Sequence, residues 1–228
     1  MPSDFDTLQS DIISCHRCPR LVEWRERMAR EKRASFRHDE YWGRPVPAFG
    51  DPEASVLVVG LAPAAHGANR TGRMFTGDRS GDWLYRALNR AGFANQATSV
   101  RADDGLRLDG LLVTAAVRCA PPANKPTPDE RDTCRSWLEA ELDLLDGVRV
   151  IVVLGGFAYH QTLRILGSRG HPVPKPRPRF GHGAEVPLGD GLTVLCSYHP
   201  SQQNTFTGKL TEEMFDRVWA RAAELAER

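Results

Sequence analysis

The sequence predicts an α/β fold, a three-layer α/β/α sandwich around a central, mostly parallel four-stranded sheet. Short apolar segments rich in Val, Leu and Ile are typical of strands that are buried on both faces, and longer segments with helical periodicity alternate with them. Right-handed crossovers between parallel strands then place helices on both faces of the sheet. The predicted strands are Val56–Gly60, Leu111–Val117, Val148–Leu154 and Leu192–Ser197.

Helical segments lie between these strands and at both ends of the chain. The last one has a clear start, because Thr211 is a good N-cap and Glu212 and Glu213 in the first turn favour the helix dipole. In the first one, cations such as Arg25 alternate with glutamates, which predicts ordinary i,i+4 ion pairs. The proline-containing stretch Ser168–Gly183 is predicted to be an extended, exposed loop. The predicted helices are Arg20–Phe36, Asp82–Ala91, Thr127–Leu145, Ala158–Leu166 and Thr211–Glu227.

Composition and charge exclude several classes of protein. A length of 228 residues and a hydrophobic content of 41% indicate one globular domain, and a net charge of +1 gives no overall positive field for nucleic acid. Any contact with DNA must therefore come from local patches. The N-terminus lacks the apolar region of a signal peptide, and no stretch approaches the roughly 18 apolar residues of a membrane span. We expect a cytoplasmic monomer in a reducing compartment.

Four of the five cysteines are arranged as candidate metal ligands. Cys15 and Cys18 form a CxxC pair, whose tight turn brings two sulfurs to the same side. Cys119 ends a predicted strand and Cys134 falls inside the next helix, which is not the spacing of a zinc knuckle. A cluster is wider than a single ion and accepts such separated ligands, so we expect a four-cysteine iron–sulfur cluster. Structural zinc and unligated thiols are the alternatives; Cys196, within a strand, is expected to be buried and inert.

Three chemically rich motifs directly follow predicted strands. They are GLAPAAHG at 60–67, RCAPPANKP at 118–126 and YHPSQQNT at 198–205. In open parallel sheets, ligands bind in the crevice outside the carboxyl ends of the strands. The sequence therefore predicts an active site at this edge of the sheet.

Two side chains near these motifs point to chemistry on a nucleobase. Phe75 lies in a glycine- and arginine-rich loop, where an aromatic ring could stack on a base extruded from a duplex. His199 follows a strand and could donate a hydrogen bond to charge that develops on a leaving group. A core phenylalanine and a capping histidine are the structural alternatives.

Polar and basic residues close to the last two motifs are candidate phosphate contacts. Hydroxyl and amide side chains after His199 can donate to phosphates, and basic residues of the proline-containing loop could clamp a DNA backbone. A solvated turn and a solvated charged face are the alternatives. The candidates are Ser201, Gln202, Asn204, Thr205, Lys209, Arg177 and Arg179.

Together these motifs resemble the uracil-DNA glycosylase superfamily, and most closely its iron–sulfur branch, type 5. The resemblance implies an α/β/α sandwich, a 4Fe–4S cluster as cofactor, and hydrolysis of the N-glycosidic bond of uracil in DNA. It also implies that Phe75 lies against the flipped base, that His199 lies near the O2 carbonyl of that base, and that the four paired cysteines are the cluster ligands. The matching pieces are Cys15-x-x-Cys18, GLAPAAHG at 60–67, GRMFTGD at 72–78, Cys119 with Cys134, and HPSQQN at 199–204.

Two positions depart from related families. The loop after the first strand often carries an acid or amide that activates water, but here the corresponding base-site residue is Ala62, as in other type 5 enzymes. Asn69, which can orient a water, and Asp78, the nearest carboxylate, are the remaining catalytic candidates. Thr114 stands where iron–sulfur relatives often place a base-reading asparagine. A hydroxyl makes fewer fixed bonds than an amide, so a range extending to deaminated purines and exocyclic adducts is expected.

The resulting hypothesis is a monofunctional DNA glycosylase that acts on DNA containing uracil or related damaged bases and leaves an abasic site. The monofunctional reaction is expected because the strand-end motifs lack a lysine suited to Schiff-base chemistry. We expect a single domain over residues 1–228 whose N-terminal extension binds the cluster. The alternatives are a non-catalytic protein that binds uracil in DNA, and a small redox or zinc module unrelated to DNA.

Overall fold

One sheet of six strands forms the centre of the computed structural model, which describes residues 4–189 and 191–227. The strand order is β1-β3-β2-β4-β6-β5, and the four central strands run parallel to one another. These four are the predicted strands, so the predicted α/β sandwich with a mostly parallel sheet is confirmed. The strands are β1 (Phe49–Gly50), β2 (Val56–Gly60), β3 (Leu111–Ala115), β4 (Val150–Leu154), β5 (Glu185–Pro187) and β6 (Thr193–Ser197).

The two edge strands are antiparallel and were not predicted. β1 pairs with β3 through Phe49 and Gly50, and β5 pairs with β6. Strands of two or three residues are too short to show a hydrophobic period. Beyond the carboxyl ends of β2 and β3, the amides of Ala116 and Val117 still donate to the carbonyls of Gly60 and Leu61. This pairing holds the two strand-end loops side by side.

Eight helices surround the sheet in the described part of the chain. Three of them, α1, α3 and α7, were not predicted. The predicted helix over Arg20–Phe36 ends at Glu31, because Lys32 adopts a positive φ of 56°, and a short 3₁₀ turn follows at Ala34–Phe36. Thr211 caps the last helix as predicted, since its side chain accepts from the Met214 amide. The helices are α1 (Phe5–Ile13), α2 (Pro19–Glu31), α3 (Ala68–Thr71), α4 (Arg79–Arg90), α5 (Pro128–Leu144), α6 (Gly156–Ser168), α7 (Gln202–Phe206) and α8 (Glu212–Ala226).

The core consists of two layers, one on each face of the sheet, and a smaller apolar cluster beside it. Helices α4 and α8 cover one face, where Leu84 and Trp219 are fully buried. Helices α5 and α6 cover the other face through residues such as Leu163. The smaller cluster joins α1, α2 and α5 around the paired cysteines. Across residues 4–189 and 191–227, every helix is too short or too polar to span a membrane.

Candidate active site at the carboxyl edge of the sheet

A cavity of about 510 Å³ opens at the carboxyl ends of β4 and β6. Residues of two of the three predicted strand-end motifs, GLAPAAHG and YHPSQQNT, line it. Arg118 and Cys119 of the third motif line the cavity of the paired cysteines instead, so the predicted convergence is only partly confirmed. The size of the cavity at β4 and β6 suits a flat ring with a few oriented polar contacts. The lining side chains include Leu61, Phe157, Phe180, Tyr198, His199 and Asn204.

Phe75 lies against His199, which lines this cavity, although the two residues are far apart in the sequence. Their ring centroids lie 5.9 Å apart, with the planes tilted by 32°. Phe75 has a positive φ of 52°, a backbone conformation that costs on the order of 1–3 kcal/mol in a non-glycine residue. The ring packs directly on the end of β2, because a Cβ at Gly60 would lie 2.8 Å from its Cζ atom. The turn is therefore held in a strained conformation that presents this ring beside the histidine.

His199 is enclosed by protein on most sides, although part of it remains exposed to solvent. Desolvation by burial lowers its pKa from the ordinary value to about 4. Its position is fixed from both sides, since the Asn204 side chain donates to its carbonyl at 2.9 Å and Gly155 leaves room for its Cβ. The imidazole is therefore neutral at pH 7, and a neutral ring can donate one N–H to a bound group.

Of the predicted phosphate contacts, Asn204 and Lys209 line this cavity, and several of the polar atoms in the set have partners within the protein. The Ser201 hydroxyl caps α7, and the Thr205 hydroxyl donates to the Gln202 carbonyl. Lys209 lines the cavity, with its ammonium 4.9 Å from the Tyr198 ring centroid. The Gln202 side chain is exposed. Contact of these residues with DNA stays a prediction.

Arg177 and Arg179 lie on the extended segment that follows α6. Both are exposed, as predicted for this segment, and neither forms an ion pair with residues 4–189 or 191–227. The segment is tied to the body of the protein, because the Tyr159 hydroxyl donates to the Pro178 carbonyl at 2.6 Å. Phe180, two residues after Pro178, lines the cavity. The two arginines are thus close to the site along the chain, and their contact with phosphate stays a prediction.

Sequence reasoning missed the aromatic side chains around the cavity. Phe180 and Tyr198 lie 6.1 Å apart between ring centroids and form one wall. Phe206, at the end of α7, is 66% exposed, and the Arg79 guanidinium lies 4.2 Å from its ring centroid. An apolar residue that interrupts a polar motif was the available signal for Phe206. No such signal distinguishes Phe180 from a core residue.

The four paired cysteines line a second, narrow cavity next to the first. They come from the turn between α1 and α2, from the chain after β3, and from α5. Burial raises the pKa of the Cys119 thiol to about 11 and that of Cys134 to about 12. Within the described residues, no group of three His, Cys, Asp or Glu side chains has the geometry to hold a metal ion. Cys196 is fully buried within β6, as predicted.

The contacts of Arg25 differ from the ion pairing that the sequence predicted for α2. The prediction of an ordinary i,i+4 pair was wrong, because Arg25 is 1% exposed and its Nη1 donates to Cys119 Sγ at 3.0 Å. The nearest carboxylate oxygen belongs to its neighbour Glu26, at 4.0 Å. Arginine among glutamates is typical of an exposed helix face, so the sequence could not show that the Arg25 side chain is buried.

Comparison with known proteins shows the family of this chain. The family model of the uracil DNA glycosylase superfamily matches residues 47–223. The chain belongs to this superfamily, in its type 5 branch. It is 56% identical to a type-5 uracil-DNA glycosylase of Mycobacterium tuberculosis, over 96% of this chain and 81% of the relative. The corresponding protein of Thermus thermophilus is 52% identical, over 98% and 99%. A type-4 uracil-DNA glycosylase of Pyrobaculum aerophilum is 26% identical, over 87% and 83%.

The two predicted water-activating residues of this glycosylase-family chain have structural partners. Asn69 is completely buried, and its amide donates to the carbonyls of Arg25 and Ala65. Its Oδ1 is buried without a hydrogen-bond partner among the described residues, and its catalytic role stays a prediction. Asp78 caps α4 by accepting from the Gly81 amide, and burial raises its pKa. Its catalytic role stays a prediction.

Thr114 does not face the cavity, so its predicted base-binding role is not supported. It is fully buried on the face of β3 that packs on α5, and its hydroxyl donates to Glu141 Oε2 at 2.8 Å. Glu141 also pairs with Arg118 and accepts from the Gln9 amide at 3.1 Å. The hydroxyl completes a buried polar network, and the broad substrate range expected from it loses this basis.

A Thr114→Val variant tests this correction. We expect it to lose about 1 kcal/mol of stability, because one buried hydrogen bond disappears while the shape is kept. The relative rates of excision across a panel of lesions should equal those of the wild type. A changed lesion preference with unchanged stability would instead return the residue to the base site.

Ala62 lies in the loop that follows β2. It is partly buried and packs against the apolar side chains around the cysteines, including Val117 and Trp137. The neighbouring Leu61 lines the larger cavity. A contact between Ala62 and a base stays a prediction, and Leu61 is an additional candidate that the sequence alone did not single out.

Proposed function

We propose that the protein is a DNA glycosylase that hydrolyses the N-glycosidic bond of uracil in DNA and leaves an abasic site. The observation that supports this most directly is the contact between the rings of Phe75 and His199, because His199 lines the cavity on the carboxyl edge of the sheet. Membership of the uracil DNA glycosylase superfamily supports the same reaction. No comparison favours the non-catalytic alternative.

The proposed mechanism rests on side chains of this chain. A uracil rotated out of the duplex stacks on Phe75, which is a sequence-independent way to hold an unstacked base. As the glycosidic bond lengthens, negative charge develops on the base and the sugar gains oxocarbenium character. His199, neutral at pH 7, donates an N–H to that charge. Water then captures the sugar; Asp78 remains the candidate that activates it.

Lys209 bears on whether the enzyme is monofunctional. The strand-end motifs lack a suitable lysine, but the structure places Lys209 on the cavity wall, over the Tyr198 ring. We assign its ammonium to a DNA phosphate, because its contact with the ring leaves the charge at the rim. The proposed chemistry is therefore hydrolysis without a covalent protein–DNA intermediate.

The test is an excision assay with protein in excess over a duplex that contains one uracil. We expect strand scission at the uracil only after heating in alkali, which reports prior base loss. The matched duplex with thymine should stay intact. Scission without alkali, or a borohydride-trapped adduct that Lys209→Gln abolishes, would contradict the monofunctional reaction. Tight binding without any alkali-labile site would favour the non-catalytic alternative.

The neutrality of His199 predicts a flat pH profile. With a pKa of about 4, the ring stays neutral from pH 8 to well below pH 6, so the single-turnover excision rate should not step near pH 6.5. Folding lowers this pKa, so the unfolded chain binds the proton first as pH falls. The contribution of His199 to stability is therefore present above about pH 6.5 and is lost between about pH 6.5 and 4.

Urea unfolding of the wild type and of His199→Gln, at pH 7.5 and at pH 5, measures this loss. The wild type should lose more stability on acidification than the variant, which has no imidazole at this position. An equal loss in both proteins, or a rate step centred near pH 6.5 in the wild type, would contradict a depressed pKa.

We further propose that Cys15, Cys18, Cys119 and Cys134 hold a 4Fe–4S cluster. The donor set supports this, because four sulfurs line one cavity and a buried arginine cation lies against one of them. When bound, the cluster would supply a crosslink between the N-terminal segment, the end of β3 and α5. Iron and sulfide analysis separates it from zinc. The N-terminal cluster-binding extension, the monomeric state and the cytoplasmic location stay predictions.

A further inference from the structure

Arg25 is a buried cation that the proposed reaction does not use. It lies on α2 one turn after the buried Leu21, so that both side chains face the apolar cluster around the cysteines. Its side chain is 1% exposed, which is rare for arginine unless its charge is compensated.

The hydrogen bonds of Arg25 direct its guanidinium toward the paired cysteines. One guanidinium nitrogen, Nη1, donates to Cys119 Sγ at 3.0 Å and to the Cys15 carbonyl at 3.2 Å. The Asn69 amide donates to the Arg25 carbonyl at 3.1 Å and so fixes this turn of α2. Within residues 4–189 and 191–227, the buried Nε has no hydrogen-bond partner. The guanidinium is thus positioned by the backbone and directed at sulfur.

The charge of Arg25 lacks a close carboxylate. Glu26 is its ion-pair partner at 4.0 Å, and that carboxylate is 43% exposed, so solvent screens it. Arg118 lines the same cavity with the same low exposure, but Glu141 pairs with it directly. A buried charge without compensation costs several kcal/mol. Four thiolates holding iron carry net negative charge, which would compensate Arg25.

We propose that Arg25 is a positioning residue for the cysteine-held cluster, which its charge and N–H···S hydrogen bond bias toward the more reduced state and protect against loss of iron. This inference rests on the proposed cluster. The reduction potential of iron–sulfur centres depends on net charge and on hydrogen bonds to the sulfurs. Both factors at Arg25 stabilise the additional negative charge of the reduced state.

The test compares Arg25→Met and Arg25→Lys with Arg17→Met. Arg17 lines the same cavity, but its guanidinium stacks 4.3 Å from the Trp137 ring centroid, which makes it a matched control. Each purified protein is assayed for iron and sulfide, titrated with dithionite to obtain the midpoint potential, and followed for loss of visible absorbance under a chelator. Arg25→Met should have a more negative potential and release iron about tenfold faster. Arg25→Lys should restore part of both properties. Arg17→Met should change both much less than Arg25→Met does, because Arg17 is exposed and donates to the Ser136 hydroxyl rather than to a sulfur.

Three results would contradict the inference. One is an Arg25→Met protein with the potential and iron release of the wild type. If Arg25→Met does not fold, Arg25→Lys decides, because it keeps the charge but loses the planar fork; values equal to the wild type would contradict the proposed hydrogen bond. A wild-type protein without iron or sulfide would reject the cluster itself. The excision assay reports on the glycosylase reaction separately from all of these measurements.

Discussion

Replacing His199 with alanine should lower the single-turnover rate of uracil excision by about a hundredfold or more, with the affinity for DNA largely retained. The neutral imidazole makes its contact only as charge develops on the departing base, so its loss raises the barrier without weakening ground-state binding. The Asn204 amide fixes the backbone carbonyl of His199, the ring lies beside Phe75, and the substitution leaves these neighbours in place.

The control for this prediction is His38→Ala, an exposed histidine on the segment after α2. It should excise uracil at the wild-type rate. Both variants are compared in protein excess, with DNA affinity measured separately by anisotropy. Near-normal excision by His199→Ala would remove the histidine from the reaction, and a parallel loss of affinity would assign it to binding instead.

Glu141→Gln should lose about 3 kcal/mol of stability or more, because it leaves the Arg118 cation buried without a charged partner. Both side chains are at most 1% exposed, and Glu141 also receives the hydrogen bonds of Thr114 and Gln9. Since whole domains are stable by only about 5–15 kcal/mol, this single change of one carboxylate to an amide should lower the urea midpoint markedly.

Glu213→Gln is the matched control for Glu141→Gln. Glu213 also pairs with an arginine, Arg217, but its side chain is 83% exposed. Such surface pairs contribute about 0–1 kcal/mol, so the control should unfold within error of the wild type. Equal midpoints for the two variants would mean that solvent reaches Glu141 in solution.

The strands and the edge that carries the site could be predicted because hydrophobic burial leaves a direct pattern in the sequence. Each central strand is a run of residues buried on both faces, and the parallel arrangement brings their carboxyl ends together. The short α1 was missed because only Leu8 and Ile12 of its nine residues are buried. Four apolar positions within nine residues are too short a segment to show a helical period beside a polar N-terminus.

The sequence could not predict the direction in which several side chains of the candidate site point. Thr114 and Asn69 were assigned by their position in motifs, but each turns toward a buried partner, Glu141 and the Arg25 carbonyl respectively. These partners are distant in the chain, and their contacts exist only after the helices have packed. Phe75 and His199 were placed together correctly. His199 closely follows the end of β6, and the loop after β2 returns the Phe75 ring to Gly60 at the end of that strand.

The packing of Phe75 on Gly60 limits how this pocket can diverge. Any side chain at position 60 intrudes on the aromatic ring, so a lineage that replaces the glycine must first shrink or rotate residue 75. A substitution at position 75 must therefore come before a substitution at position 60. A library that randomises residue 75 alone should retain far more folded members than one that randomises residue 60 alone.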